Sequence, residues 1–363
     1  MNKFINSFIR FRKGIFCLLY LVSVTTFSQN AEKKITFNGF GHLEADADFT
    51  NKDGNYYFSI GEHDFFVNAQ LNDKISFLGE NVIRFDSKSA TGFSASIERA
   101  RLKFDYYKNH SLIVGKVHTP VNYWNDVYHH GRLFFPMVNR PMAFSYLVPL
   151  HNLGFGFQGQ NLGKLNFGYD IFVGNGIGST DNFDLGSTQA LTFAFHIKPT
   201  DGMRIGASYY NDYLKNNTSG VHSGHSTSYA SSTITYRKPL NYELTSFSFA
   251  YFLPKFECLN EFSWNQTYTD TLGFSQNFSN FIYLGYRVAP KMVTYLSGDY
   301  LDISSKDLHS FERSMATVLV GARYEFSYLI NVKAQVGLTR NLHGHGSHGT
   351  DVYNFRLQFA YGF

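Results

Sequence analysis

Three histidines stand close together near the C-terminal end, in the segment NLHGHGSHGTD, at positions 343, 345 and 348. Imidazole nitrogens bind Zn²⁺, Cu²⁺ and Ni²⁺, and the glycines between them let the backbone wrap around an ion. The spacing matches no structural zinc motif, and a polar loop rich in histidine explains the segment equally well. The sequence therefore leaves two predictions open: a divalent metal at His343, His345 and His348, or no cofactor.

Charged side chains recur at every second position of several segments in the first third of the chain. In IERARLKFDYY, Arg99, Arg101 and Lys103 alternate with apolar residues, and ITFNGFGHLEADADF repeats the pattern with acids. Successive side chains of a β-strand point to opposite faces, so each segment predicts a strand with one charged face. We expect these charged faces to line one common space in which an acidic sector adjoins a basic one. The acidic residues are Glu44, Asp46, Asp48, Glu62 and Asp64, and the basic ones are Arg84, Arg99, Arg101, Lys103, Lys116 and His118.

The opposite face of these segments is apolar and aromatic. The segment DVYNFRLQFAYGF places Phe355, Leu357 and Phe359 on one parity and Arg356 and Gln358 on the other. Aromatic residues make up 18% of the chain, although the mean hydropathy is only −0.22. A soluble sandwich also alternates, but segments of about ten residues are long for globular strands and fit a tilted bilayer crossing.

The connections between these segments alternate between short and long. Short turns fall near residues 72–73, 109–110, 162–163, 199–202, 253–255, 289–290 and 327–328, and longer polar loops near 50–55, 86–95, 121–151, 175–187, 214–242, 269–277, 302–314 and 341–351. Seven turns and eight loops imply sixteen strands, with fourteen or eighteen as alternatives. This asymmetry is typical of an all-β, transmembrane antiparallel β-barrel of about 16 strands, with short periplasmic turns and longer extracellular loops.

The N-terminal residues have the pattern of a secretory signal peptide. A basic segment precedes the apolar run IFCLLYLVSV, and small residues allow cleavage after Ser28. We therefore predict residues 1–28 as the signal peptide and residues 29–363 as the barrel. Removal of the signal takes four of the 32 basic residues and none of the 28 acidic ones. The mature chain is then neutral, which removes support for nucleic acid as a partner. Its single cysteine, Cys258, excludes an intrachain disulfide.

The longest connection, residues 121–151, contains too many aromatic residues for a solvent-exposed loop. A loop of about thirty residues is commonly functional. We expect it to fold into the barrel as a constriction loop, and its charged and histidine residues would line the narrowest part, namely Asp126, His129, His130, Arg132 and Arg140. The alternative is a loop packed on the barrel mouth or against a second subunit.

No catalytic motif accompanies these features. The chain has no GxSxG, no HExxH, and no Walker or dinucleotide loop. We therefore expect a protein that is not an enzyme.

The sequence also resembles a known group. The stretches RARL at 99–102, VGKVHTP at 114–120 and NYWN at 122–125 resemble phosphate-selective-porin-like outer-membrane proteins, and the aromatic strands resemble porins of Bacteroidota-type bacteria. The resemblance implies a sixteen-stranded homotrimer in which Arg99, Arg101, Lys103 and Lys116 form part of a ladder for anions. It also implies that the barrel-assembly machinery recognises the terminal Phe363. The acidic residues of the first two strands leave the charge preference open.

Together these observations predict an outer-membrane porin through which small hydrophilic or charged solutes diffuse passively. Outer-membrane lipid would surround its aromatic face. The alternative is a surface ligand- or metal-binding barrel whose lumen is plugged.

Overall fold

The computed structural model describes residues 34–50, 54–85, 92–129, 131–177, 189–214, 219–221, 233–235, 239–307, 313–344 and 351–363. The predicted signal peptide, His130, His345 and His348 lie outside these residues, as does the side chain of His343. The predictions made for them stay predictions.

Nearly all described residues belong to β-strands. The strands are β1 (Ile35–Asp48), β2 (Asn55–Ser59), β3 (Glu62–Asn72), β4 (Ile75–Phe85), β5 (Phe93–Tyr107), β6 (His110–His118), β7 (His151–Leu162), β8 (Phe167–Gly174), β9 (Ala190–Ile197), β10 (Met203–Leu214), β11 (Ser219–Val221), β12 (Thr233–Thr235), β13 (Leu240–Phe252), β14 (Phe256–Thr269), β15 (Gly273–Ala289), β16 (Met292–Ile303), β17 (Arg313–Ser327), β18 (Ile330–Gly344) and β19 (Asp351–Gly362). A π-helical turn (Trp124–Tyr128) and a short α-helix (Met142–Tyr146) lie between β6 and β7. No helix in the described part of the chain has the length and apolar composition of a membrane span.

The main sheet is antiparallel and closes on itself. β1 pairs with β19 on one side, from Phe40 opposite Gly362 to Asp48 opposite Asn354. On its other side β1 pairs with both β2 and β3, which together occupy one strand position. The seventeen strands of this sheet therefore fill sixteen positions around a barrel, which confirms the predicted strand number.

The break between β2 and β3 has a local cause at Gly61. This residue has a φ of +63°, and a Cβ atom there would lie 2.5 Å from His42 Nε2. Only glycine adopts this left-handed conformation without strain and also leaves room for the imidazole.

The remaining two strands, β11 and β12, form a separate two-stranded sheet within the connection from β10 to β13. The strand-like residues of that region therefore lie inside a loop.

The two faces of the barrel wall differ as the alternation predicts. On β19, Phe355, Leu357 and Phe359 are exposed on the outer face, whereas Arg356 and Gln358 are buried on the inner face. Apolar residues with outward parity recur on every long strand, and their transfer into lipid favours the barrel by ~25 cal/mol per Å² of apolar surface.

Connections alternate in length around the barrel. Seven short turns lie at the end that also carries both termini, and most connections at the other end are longer. The predicted longer loop at 269–277 is wrong, because β14 and β15 pair as far as Thr269 opposite Gly273 and only residues 270–272 connect them. Phe363 N donates to Gly39 O at 2.9 Å, which joins the two ends of the chain at the short-turn rim. The longest connection, residues 119–150, joins β6 to β7 and is named here the lumen loop.

Candidate functional site

The lumen loop leaves and rejoins the wall through a narrow neck. Thr119 N donates to Leu150 O at 3.0 Å. The amide of Asn125 donates to both carbonyls that frame this neck, at 2.7 Å to Thr119 O and 3.2 Å to Leu150 O. The loop therefore starts from a fixed base between β6 and β7.

Carboxylates of the inner wall hold the main chain of the lumen loop from the far side. Glu261 Oε1 of β14 accepts a hydrogen bond from Trp124 N at 2.8 Å. Asp299 Oδ2 of β16 accepts one from Met142 N at 2.6 Å. These two hydrogen bonds tie the start of each helical segment of the loop to the opposite wall.

Strands β17 to β19 add side-chain contacts to the same loop. Four wall side chains donate to the loop: Arg323 to Pro136 O (3.0 Å), Asn331 to Leu133 O (2.7 Å), Lys333 to Arg132 O and Arg356 to Asn139 Oδ1 (3.0 Å). In the reverse direction, Val138 N donates to Gln335 Oε1 at 3.1 Å. The lumen loop therefore lies inside the barrel and spans it.

Apolar packing fills the space between the loop and strands β10 and β13–β16. Trp124 is 1% exposed and packs edge-on against Phe135, with ring centroids 4.9 Å apart, and against Phe281 of the wall. Phe144 and Leu147 belong to the same buried cluster. This packing accounts for the aromatic content of the loop. The larger open spaces lie toward β1 and β3–β8, and a smaller cavity of about 50 Å³ lies between the loop and strands β16–β19.

The open side carries the predicted charged residues, but they form pairs across neighbouring strands. Arg84 Nη2 lies 2.9 Å from Glu98 Oε1, and its Nε lies 3.9 Å from Glu62 Oε1. Arg99 pairs with Glu80. Asp46 Oδ1 lies 3.2 Å from Arg356 Nε, and Glu44 accepts a hydrogen bond from Gln358. The charges therefore interleave, and they do not form the separate acidic and basic sectors that the sequence suggested.

Charged residues of the lumen loop are also paired. Arg140 Nη2 lies 3.2 Å and Arg132 Nε 3.8 Å from Glu62 Oε2. Burial and the neighbouring Arg132 guanidinium lower the pKa of Arg140 to about 10, so it stays charged at neutral pH. Asp126 accepts a hydrogen bond of 2.5 Å from Arg204 of β10.

Arg101 differs from the other inner-wall arginines. It lines a cavity of about 210 Å³ together with Arg99, Asp126, Gln158 and Asp170. Within the described residues it makes no hydrogen bond and no ion pair, although Arg99 and Asp170 are near enough to act on it electrostatically. Its guanidinium is therefore available to an ion in this cavity.

A second cavity of about 390 Å³ adjoins the first, since both are lined by Arg99, His118 and Asp126. It extends to Phe363 at the short-turn rim. The two cavities together run along the open side of the lumen loop.

Four further predicted residues have other surroundings. Lys116 is opposite Ala100 and Leu153, on the parity of the lipid-facing Val114, and its Nζ donates to Ile97 O at 2.7 Å. The prediction that Lys116 lines the pore is therefore wrong. Lys116 pairs with Ala100 on the outer face, whereas Arg101, the next residue of β5, points to the inner face. Lys103 pairs with Asp105 at 3.1 Å. Asp48 accepts a hydrogen bond from Thr50 N at the rim that carries the longer loops. Asp64 is buried near Arg140 of the lumen loop.

Sequence reasoning missed several residues of the site. Glu80, Asp170 and Arg204 share the parity of inward-facing neighbours, so the alternation could have identified them. Glu98 could not be found in this way. Ile97 pairs with Asn81 and Arg99 pairs with Glu80, so Glu98 has no partner in β4 and forms a β-bulge. The bulge turns Glu98 and Arg99 to the same side of the sheet.

Two predicted residues, His118 and His129, lie together at the neck of the loop. Their rings stack with centroids 3.6 Å apart, and His151 of β7 lies beside both.

Comparison with solved structures places this architecture among outer-membrane barrels. The chain is similar to an anion-selective porin from Comamonas acidovorans, with a TM-score of 0.65, 10% identity, and coverage of 92% of this chain and 100% of that one. It is similar to the trimer form of OmpT, an outer membrane protein of Vibrio cholerae (TM-score 0.64, 12% identity, 92% and 100% coverage). It is also similar to the outer membrane channel DcaP of Acinetobacter baumannii (TM-score 0.60, 12% identity, 93% and 99% coverage).

The sequence matches no family model and no curated protein. At such low identities the structural likeness defines the fold alone, which is a closed sixteen-stranded barrel of the porin type.

Proposed function

We propose that this chain is an outer-membrane channel through which small hydrophilic or charged solutes diffuse passively. The observation that carries the proposal is the pair of adjoining cavities on the open side of the lumen loop, lined by charged side chains. The likeness to an anion-selective porin and to an outer membrane channel supports it.

The route follows from the packing of the lumen loop. The loop fills the lumen toward β13–β16 with apolar side chains, so a hydrated solute passes between the loop and strands β3–β8. Along this route it meets Arg99 and Arg101 on the wall and Asp126 on the loop. Charged groups around a narrow aqueous passage select solutes by charge.

We propose a preference for small anions. Arg99 and Arg204 are neutralised by Glu80 and Asp126. Asp170 of the same cavity is held by a hydrogen bond of 2.6 Å from Gln158, so its carboxylate is already engaged and acts on Arg101 only through space. Arg101 is left as the cation that makes no ion pair among the described residues. An anion in the 210 Å³ cavity gains the attraction of this guanidinium.

Planar-bilayer recording with purified protein tests the channel. We expect stepwise openings and, under a salt gradient, a reversal potential whose sign reports anion preference. Absence of openings from correctly folded protein would contradict the channel proposal, and a cation-selective reversal potential would contradict the anion preference alone.

A second candidate is a binding barrel with a plugged lumen. The apolar packing of Trp124, Phe135 and Phe144 against the wall favours it, because such packing holds the loop in place. Electrical silence combined with saturable binding of a solute or metal would support this candidate.

The same proposal includes a location and an assembly. The aromatic outer face suits outer-membrane lipid, reached after removal of residues 1–28 and insertion by the barrel-assembly machinery. A homotrimer is proposed from the resemblance and from the trimer form of the Vibrio cholerae protein. Cross-linking in native membranes tests it, and a purely monomeric pattern would contradict it. We assign no enzymatic activity to the chain.

A further inference from the structure

The three histidines at the neck of the lumen loop are distant in sequence and adjacent in space. His118 ends β6, His151 begins β7, and the two are paired in register. His129 follows the π-helical turn of the loop. One nitrogen atom from each imidazole lies within 4.8 Å of the other two. We propose that His118, His129 and His151 bind one divalent transition-metal ion of the Zn²⁺, Cu²⁺ or Ni²⁺ type.

The backbone of His129 is held in an unusual conformation that brings its ring to this position. Its φ is +40°, in the left-handed region that a residue with a Cβ rarely adopts, and such conformations cost on the order of 1–3 kcal/mol and concentrate at functional sites. Its N–H donates to Trp124 O at 2.8 Å, which fixes it to the end of the π-helical turn.

Asn125 organises all three histidines. Its Oδ1 lies 2.7 Å from His129 Nδ1, an arrangement in which Nδ1 carries the proton and Nε2 presents its lone pair. Its Nδ2 bonds the carbonyls of Thr119 and Leu150, which adjoin His118 and His151 in sequence. One amide therefore sets the tautomer of one imidazole and the spacing of the other two.

Carboxylates contact the two wall histidines from behind. Glu98 Oε2 lies 2.7 Å from His151 Nε2, and Glu80 Oε2 lies 3.5 Å from His118 Nε2. Each carboxylate is held in turn by an arginine, Arg84 or Arg99. Histidine ligands of metal ions commonly donate their second nitrogen to a carboxylate, which fixes the ring and raises its basicity. If the carboxylates keep Nε2 of His118 and of His151, the proposed ligand atoms are Nδ1 of these two residues and Nε2 of His129.

Binding requires the rings to turn toward the ion, because His118 and His129 are stacked at an interplanar angle of 20° and each imidazole lone pair lies in its ring plane. Tetrahedral Zn²⁺ with bonds of about 2.1 Å places nitrogen ligands about 3.4 Å apart. Because the present separations are at most 4.8 Å, each shortens by no more than about 1.4 Å. Rotation of imidazole rings about χ2, which has broad minima, supplies this movement. Since the ligands come from both wall strands and the loop, the ion also clamps the loop to the wall.

Cu²⁺ and Zn²⁺ test the site in purified, detergent-solubilised protein. We expect stoichiometric binding, a Cu²⁺ electron paramagnetic resonance spectrum with three coupled nitrogens, and slower amide hydrogen exchange in residues 119–150 when Zn²⁺ is added. The variant H129Q should lose one coupled nitrogen and weaken binding at least tenfold. N125A should weaken it on the order of 10–100-fold, as for a group that orients a ligand.

Two matched variants separate this site from other histidines. H196N changes a buried histidine outside the cluster, and a triple change of His343, His345 and His348 to Asn removes the loop histidines; both should keep the tight site. Absence of stoichiometric binding, or binding lost only in the triple variant, would overturn the proposal. H118N provides a second ligand test if H129Q does not fold. All readouts are independent of conductance, so they hold or fail separately from the channel proposal.

Discussion

Replacement of Arg101 by glutamine tests the proposed passage most directly. Arg101 lines the 210 Å³ cavity. For a permeating ion at an assumed separation of about 7 Å from this guanidinium, one unit charge contributes ~0.6 kcal/mol in water. At 0.1 M salt the Debye length is about 10 Å, so about half of this energy remains.

The loss of one positive charge therefore disfavours an anion by ~0.3 kcal/mol and favours a cation by the same amount. The anion-to-cation permeability ratio should fall about threefold in R101Q. R101E changes the charge by two units, so the logarithm of the ratio should move twice as far, to about eightfold. Both effects should shrink as salt is raised, because screening strengthens.

The assay is the reversal potential of single channels in a planar bilayer under a salt gradient. Lys116 offers a matched control, because it lies opposite Ala100, next to Arg101 in β5, but on the lipid-facing parity. K116Q removes the same charge at the same depth and should leave the ratio unchanged. Equal shifts in R101Q and K116Q, or no shift in R101Q, would show that Arg101 does not line the passage.

Three further changes probe the loop and the wall. E261A removes the acceptor of Trp124 N. Because an unsatisfied buried donor costs about 1–3 kcal/mol, amide exchange in residues 119–150 should accelerate; unchanged exchange would show that this hydrogen bond does not hold the loop. W124A removes a buried indole, so the free energy of unfolding should fall by about 3–5 kcal/mol, which is measured as a lower melting temperature. The control is W264A: this ring is only half-buried in the wall, so the loss of stability should be smaller. G61A places a Cβ beside His42 in a residue with left-handed backbone, which should destabilise the fold by about 1–3 kcal/mol. The yield of folded barrel on heat-modifiability gels should fall. G92A is the control for a positive φ alone, because Gly92 has open space around it.

The overall fold follows from local sequence patterns. The parity of Phe355 and Arg356 and the spacing of turns are both properties of short segments, and they were sufficient to predict sixteen strands and the orientation of β19. Closure needs no further information, because lipid leaves no place for an unpaired edge.

The site depends on register and tertiary contact, which local patterns do not encode. Parity in one strand does not continue into the next, and for this reason Lys116 was misplaced. The bulge at Glu98 inserts one residue that the period of two cannot show. Asp46 pairs with Arg356, a residue from the other end of the chain. Because the sequence does not show such long-range pairs, an acidic strand followed by a basic one was interpreted as two separate charged sectors. The His118–His129–His151 cluster requires the path of the lumen loop.

The pairing of β1 with β19 has a consequence for biogenesis. Contacts such as Phe40 with Gly362 join segments separated by most of the polypeptide, so the entropy of closing this loop has to be lost before the final ladder of hydrogen bonds can compensate. Until then the open sheet has two unpaired edge strands, and either of them can pair with another copy of the unfolded chain. The barrel therefore closes last, and the edges of β1 and β19 have to stay protected from other chains until these two strands pair.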